Sequence, residues 1–384
     1  MAKPHTIRQL NPNILDSTPS PSFDRPPESF PADEYIRRIG RFRRELSRKG
    51  LDGAVVTRGV SRLYLTGFES SAGTLLVDAA EGAVFVTDFR YIIMAEKALP
   101  FAKCLLKKTG GADPVQAILK KWKACGYEAL EAKTSVDALL AKLPSGVRAE
   151  PVDAALGELR SVKSRREIAA LRRAVAQGDA LYAWALPQLR PGMTEWAARA
   201  VFRRGADLFG HGESFDTIVC AGANGAECHH NPDLTVIGPR DPLLMDFGVL
   251  LDRYHSDMTR CVHFGKPSAL YRKVYGIVLE ANRKAIAAIR PGMTGEEIDA
   301  VARDHIAKAG YAKAFGHSLG HSVGMEIHEG PNFSPNEKRV IRPGMVVTVE
   351  PGIYLKGRLG VRIEDVVLVT KDGCEVLTTA PREL

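Results

Sequence analysis

Apolar residues recur along the chain in two rhythms, and the change between them divides it. Tyr35, Ile39, Phe42 and Leu46 stand at steps of four, three and four, which lays them along one face of a helix beginning at Asp33. Arg37, Arg38, Arg41, Arg44, Arg48 and Lys49 take the other positions and read as a solvated basic face. Short apolar runs follow, Ala54–Val56, Thr74–Val77 and Ala83–Thr87, punctuated by Gly50, Gly53, Gly67, Gly73 and Gly82, as strands and turns would be. Helical segments near 89–99, 113–125 and 134–142 alternate with them, so residues 31–158 are expected to form a small α/β domain. Near Ser161 the rhythm resets: Ser164 and Glu167 precede Ile168, Leu171 and Val175, a capping box opening a long helix.

The remainder, 159–384, repeats itself. Arg190-Pro191-Gly192-Met193-Thr194 returns as Arg290-Pro291-Gly292-Met293-Thr294, each after one helical pattern and before another. Thr194 and Thr294 stand as N-caps, and Glu297 completes a capping box with Thr294. Two copies in one context imply a duplicated helix–turn–helix element. Arg342-Pro343-Gly344-Met345 echoes the turn before a strand, so the tetrapeptide alone is not diagnostic.

Each half of this duplicated region carries a hairpin pattern with two acids in apolar surroundings. Leu243–Gly248 runs through a turn near Leu251 and Asp252 and returns by His255–Val262, placing Asp246 and Asp257 symmetrically about it. Antiparallel pairing there puts the two acids opposite each other, with Cβ atoms roughly 4.5–5.5 Å apart. Val346–Gly352 and Val361–Val367 bracket Gly357, about which Glu350 and Glu364 are symmetric. Like charges on buried strands repel, so each acid needs an arginine, as Arg362 could serve Glu364, or the four need a shared cation. Two divalent ions would match four carboxylates. Between the hairpins, His317, His321 and His328 fall among Gly316, Gly320 and Gly324, fitting a site better than a packed core. Cys228-His229-His230-Asn231-Pro232-Asp233 forms a polar turn after the strand-like Thr217–Cys220.

Composition narrows the class. The 384 residues favour two domains, and 45% hydrophobic with 26% charged residues is ordinary globular composition. Six cysteines without CxxC spacing argue for reduced thiols rather than a disulfide framework or zinc ribbon, and so for the cytoplasm. No uncharged apolar run reaches the roughly 18 residues of a membrane helix, and the start lacks the apolar core of a secretory signal. The net charge of +8 is a poor guide; a nucleic-acid partner is disfavoured, and so is a membrane. Pro4, Pro12, Pro19, Pro21, Pro26 and Pro27 mark residues 1–30 as an extended arm or tail.

The stretches MDFGVLLDRYHSDMTR, GHSLGHSVGMEIHEGP and VEPGIYLKGRLGVRIEDVV resemble the metal-dependent pita-bread peptidases, in the branch of Xaa-Pro aminopeptidases and prolidases. Residues 161–384 match closely and 31–158 loosely, including Thr87-Asp88-Phe89-Arg90-Tyr91. The resemblance implies an α+β fold: a pita-bread (creatinase/aminopeptidase-like) catalytic domain over 159–384 with a pseudo-twofold repeat, preceded by the small α/β domain. It implies two divalent ions per chain held by Asp246, Asp257, His321, Glu350 and Glu364, with Asp257 and Glu364 bridging them. Mn, Co or Fe suits four carboxylates and one imidazole, with Zn as a further candidate. By the same resemblance Glu350 shuttles a proton, His229 and His328 steady substrate and tetrahedral intermediate, His317 stands nearby, and Arg362 holds carboxylates. The implied reaction is hydrolysis of the bond between an N-terminal residue and proline, in a peptide or dipeptide, by a homodimer. Where many relatives place an arginine after His328-Glu329-Gly330-Pro331, this chain has Asn332, which leaves dipeptidase and aminopeptidase action both open. Alternatives are another small C–N substrate on the same metals, or a binding module without catalysis.

Overall fold

The structure, a computed structural model, describes residues 25–383; most of the proline-rich arm, residues 1–24, lies outside the described residues. Contacts divide the described chain into Ser29–Arg160 and a second unit that joins residues 25–28 to residues 161–383. Among the described residues no helix is long and apolar enough to cross a membrane.

In the first unit the helix read from Asp33 runs Ala32–Arg48 (α1) and buries Tyr35, Ile39, Phe42 and Leu46. Strands β1 (Gly53–Val56), β2 (Thr74–Asp78), β3 (Gly82–Thr87), β4 (Lys103–Leu106), β5 (Ala124–Tyr127) and β6 (Arg148–Pro151) form one sheet in the order β4-β3-β2-β1-β5-β6. Its pairs mix parallel and antiparallel. The segment expected to be helical over 113–125 is helix only over Pro114–Leu119, because Trp122 and Cys125 turn inward against Val55 and Leu76 and the chain enters β5. Strands β4 and β6 escaped the apolar pattern. They are half-exposed, so their sequences need not be apolar.

In the second unit Ser164 and Glu167 form the expected capping box. Here α2 (Arg165–Ala185) packs on α3 (Glu195–Phe209), and α4 (Ala269–Ala288) on α5 (Gly295–Lys308). The two repeats of Arg-Pro-Gly-Met-Thr take the same conformation. Gly192 and Gly292 have φ of 91° and 96°; their N–H groups donate to Ile237 and Ile341, and Thr194 and Thr294 bridge to Val236 and Val340. Both threonines cap the helix that comes next.

The first half has the sheet β11-β8-β7, built from β7 (Ile218–Ala221), β8 (Pro242–Phe247) and β11 (Met258–His263), with the ribbon β9 (Leu250–Leu251) and β10 (Tyr254–His255). The second half has β13-β12-β14-β17-β18, from β12 (Gly320–Ser322), β13 (Glu329–Phe333), β14 (Val346–Val349), β17 (Asp365–Val369) and β18 (Cys374–Val376), and the ribbon β15 (Gly352–Leu355) and β16 (Leu359–Arg362). Along β8, Leu243, Met245 and Phe247 enter one core with Phe202, while Leu244 enters another with Cys220, Cys261 and Val361. Alternation therefore puts Asp246 on the Leu244 face, toward the second half.

The first hairpin differs from expectation by two residues of pairing register. Asp246 pairs with Thr259, not Asp257. The turn is Asp252-Arg253, both at positive φ (51° and 69°), between Leu251 and Tyr254, which moves the axis by one residue. Since side chains alternate with period two, Asp257 keeps the same face as Thr259 and lies diagonal to Asp246. In the second hairpin Val349 pairs with Asp365 and Gly352 with Arg362, so Glu350 and Glu364 do stand opposite each other, where the two ladders meet.

Strand β16 runs close under the loop after β7: a Cβ on Gly360 would collide with the Gly225 carbonyl. Gly360→Ala is therefore expected to cost about 1–3 kcal/mol, read as a lower urea midpoint. An unchanged midpoint would contradict the close approach.

Candidate active site and metal centre

All nine residues singled out by sequence line one cavity of about 460 Å³: Asp246, Asp257, His321, Glu350, Glu364, His229, His317, His328 and Arg362. Strand ends deliver them. Asp246 comes from β8, Asp257 precedes β11, His321 sits in β12, Glu350 follows β14, and Glu364 lies between β16 and β17. In β14, Val347 and Val349 enter the core, so alternation sends Thr348 and Glu350 the other way, and Glu350 reaches the cavity.

Asp257, His321 and Glu364 each offer a ligand atom within 4.8 Å of the others. His321 Nε2 lies 3.4 Å from Asp257 Oδ2 and 3.5 Å from Glu350 Oε1. Arg362 does not pair with Glu364 through its side chain. It donates from Nη2 to Asp246 Oδ2 at 2.5 Å, from Nε to Thr259 Oγ1 at 2.8 Å and from Nη1 to Tyr354 at 3.0 Å. One guanidinium thus serves one of four acids, and Asp246 Oδ1 is buried with no partner.

That imbalance appears in the protonation of the groups lining the cavity. Burial, with the neighbouring Asp257 charge, lifts Asp246 to about 6 against the pull of Arg362. Burial lifts Glu350 to about 7, opposed by His321 and Arg362, and raises Glu364 well above the carboxylate range, reinforced by Asp257 and Glu350. Burial works against charging His321, but the Asp257 hydrogen bond and the Glu350 and Asp257 charges overcome it and raise the imidazole to about 9. The oxygen-rich donor set, the orphaned Asp246 Oδ1 and the shortage of positive charge fit divalent cations.

His317 is spent internally. Its Nδ1–H donates to the Ser318 carbonyl at 2.8 Å, so Nε2 accepts from the Tyr354 hydroxyl at 2.9 Å, and burial lowers it to about 4. His328 stacks edge-on to His321, centroids 4.4 Å apart. Sequence reasoning missed several supports. Thr259 Oγ1 donates to Glu364 Oε2 at 2.7 Å and Thr348 Oγ1 to Glu350 Oε1 at 3.1 Å. Asn282 Nδ2 holds the carbonyls of Val349 and Ile363 at 3.0 and 3.3 Å, just ahead of Glu350 and Glu364. A signal for Asn282 was present: it interrupts the apolar helical stripe of Val274, Val278, Ala281 and Ala285.

Residues 169–371 match the family model of metallopeptidase family M24, and 38–162 match that of the creatinase/prolidase N-terminal domain. The chain belongs to metallopeptidase family M24. Its fold is the pita-bread fold preceded by the creatinase-type domain, and the chain is a metallopeptidase of a family that binds divalent metal. It is 34% identical to an Xaa-Pro dipeptidase of Pyrococcus furiosus, over 91% of this chain and 99% of that protein. The structure of an Xaa-Pro dipeptidase from Bacillus anthracis superposes with a TM-score of 0.86 at 35% identity, covering 91% of this chain and 99% of that one. An X-Pro aminopeptidase from Thermotoga maritima gives a TM-score of 0.82 at 31% identity, covering 90% and 98%.

With Asp246, Glu350 and His321 as ligands, metal uptake would need the two acids ionised and the imidazole neutral, so binding is expected to release protons and to tighten as pH rises from about 6 toward about 9. Calorimetric titration with Mn²⁺ in buffers of different ionisation enthalpy measures this release. An affinity independent of pH would contradict it.

Proposed function

We propose that this metallopeptidase hydrolyses the bond between an N-terminal residue and proline, in dipeptides or longer peptides, using two divalent ions held by Asp246, Asp257, His321, Glu350 and Glu364. The observation that carries the reading is the ring of four acids and one histidine around one cavity with a single arginine among them; the names of the relatives support the substrate class. We further propose Mn as the metal, a homodimer as the working form and the cytoplasm as the location, with 31–158 and 159–384 as the two domains.

When bound, the ions polarise a scissile carbonyl and acidify water. The side chains do the rest. An imide nitrogen carries no hydrogen, so proline leaves only if that nitrogen is protonated. Glu350, at the cavity wall, would take a proton from water and deliver it to that nitrogen. His229 and His328, which line the cavity, would donate hydrogen bonds to the oxygen that gains charge. Arg362 restrains Asp246, while Tyr354 and His317 restrain Arg362. Asn332 at the same wall presents a neutral amide to the substrate.

Chelated protein should be inactive, and Mn²⁺ should restore cleavage of Xaa-Pro dipeptides, Xaa-Pro-Yaa tripeptides or both, the ratio reporting the preferred length. Glu350→Gln should lower kcat by about 100-fold or more. Absence of metal-dependent cleavage of either substrate would overturn the proposal.

A further inference from the structure

Among the described residues a second cluster of acid and imidazole groups, Glu195, His230 and Asp233, includes the chain neighbour of His229, and its hydrogen bonds state its purpose. Glu195 is in the first turn of α3 and fully buried. Its Oε1 accepts from the Ala221 N–H at 2.6 Å and from Asn224 Nδ2 at 3.0 Å. Its Oε2 meets His230 Nε2 at 2.8 Å and accepts from the Asp233 N–H at 3.3 Å. All four donors belong to one segment, 221–233. A buried carboxylate needs several donors to offset its lost hydration, and Glu195 collects them only when that segment sits here.

Between the anchored points lie Cys228 and His229, both at the cavity wall. The Cys228 carbonyl accepts from Arg362 Nη1 at 3.4 Å. His230, adjacent to His229, is held on both sides, since its Nδ1 faces Glu227 Oε2 at 3.2 Å. The other half of the repeat solves the same problem differently. There Gly295 follows the capping threonine, a Cβ would strike the Asn332 carbonyl, and Glu337 of the loop itself accepts from the Asn332 and Arg339 N–H groups at 3.3 and 3.0 Å. In the first half an acid on the helix does the holding.

We propose that Glu195 is a positioning residue that, through His230 and the backbone of 221–233, sets His229 against the substrate. This rests on the proposed role of His229 in peptide cleavage. The Glu195 and His230 atoms are already committed to the hydrogen bonds above, and Asp233 Oδ1 accepts from the Thr235 N–H at 2.6 Å, so the three groups are engaged within the protein.

The test pairs hydrogen exchange with a double-mutant cycle on the Mn²⁺-loaded full chain. In Glu195→Ala, exchange should quicken about tenfold or more within 221–233 and not elsewhere, with metal content unchanged. Its kcat/KM on the better Xaa-Pro substrate should fall about 10- to 100-fold, and Glu195→Gln, which keeps an acceptor for Ala221, should recover most of both. Combined with His229→Ala, Glu195→Ala should add less than about twofold. Equal losses in both backgrounds, unchanged exchange, or loss of bound metal with Glu195→Ala would overturn the inference. If the wild-type chain cleaves no Xaa-Pro substrate, the proposed function fails, and the exchange result alone decides whether Glu195 anchors the segment.

Discussion

Carboxylates brought together out of water repel one another, and the second unit of this chain is built around that cost. Asp246, Asp257, Glu350 and Glu364 share a cavity in which Arg362 neutralises one of them. Burial and mutual repulsion push Asp246, Glu350 and Glu364 above the ordinary carboxylate range, and the facing carboxylates raise His321. Divalent cations resolve the same conflict with ligands in their ionised form. The arrangement is unfavourable for an empty core and suited to a metal centre.

The surrounding framework keeps these groups from relaxing apart. Arg260, buried and paired with Asp365, also donates to the Glu364 and Thr259 carbonyls. Asn282 reaches from α4 to the backbone on either side of the second hairpin. Thr259 and Thr348 orient one carboxylate each. The Thr259 and Arg260 contacts tie the two halves of the repeat together at the cavity, so Asp246 and Asp257 of the first half share it with Glu350 and Glu364 of the second.

Much of this was legible in the chain, for identifiable reasons. Apolar runs set symmetrically about turns exposed the two hairpins, and acids among Leu, Met, Val and Ile stood out against them. The repeated Arg-Pro-Gly-Met-Thr exposed the duplication because a glycine at positive φ and a capping threonine are local requirements. The register of the first hairpin was not legible, since Asp252-Arg253 takes a conformation usually left to glycine and asparagine. Strands β4 and β6, and the roles of Thr259, Tyr354 and Glu195, depend on tertiary partners far along the chain, which periodicity cannot report. Glu195 in particular reads as an ordinary first-turn acid until its four donors are seen.

The central claim is that the four acids and His321 exist to hold cations in this cavity. Anomalous diffraction from crystals grown with Mn²⁺ tests it most directly. The account predicts two peaks per chain inside the cavity, one with His321 and Glu350 as ligands, the other with Asp246, and Asp257 and Glu364 shared between them. A cavity without anomalous density at saturating Mn²⁺, or density confined to Glu195, His230 and Asp233, would contradict it.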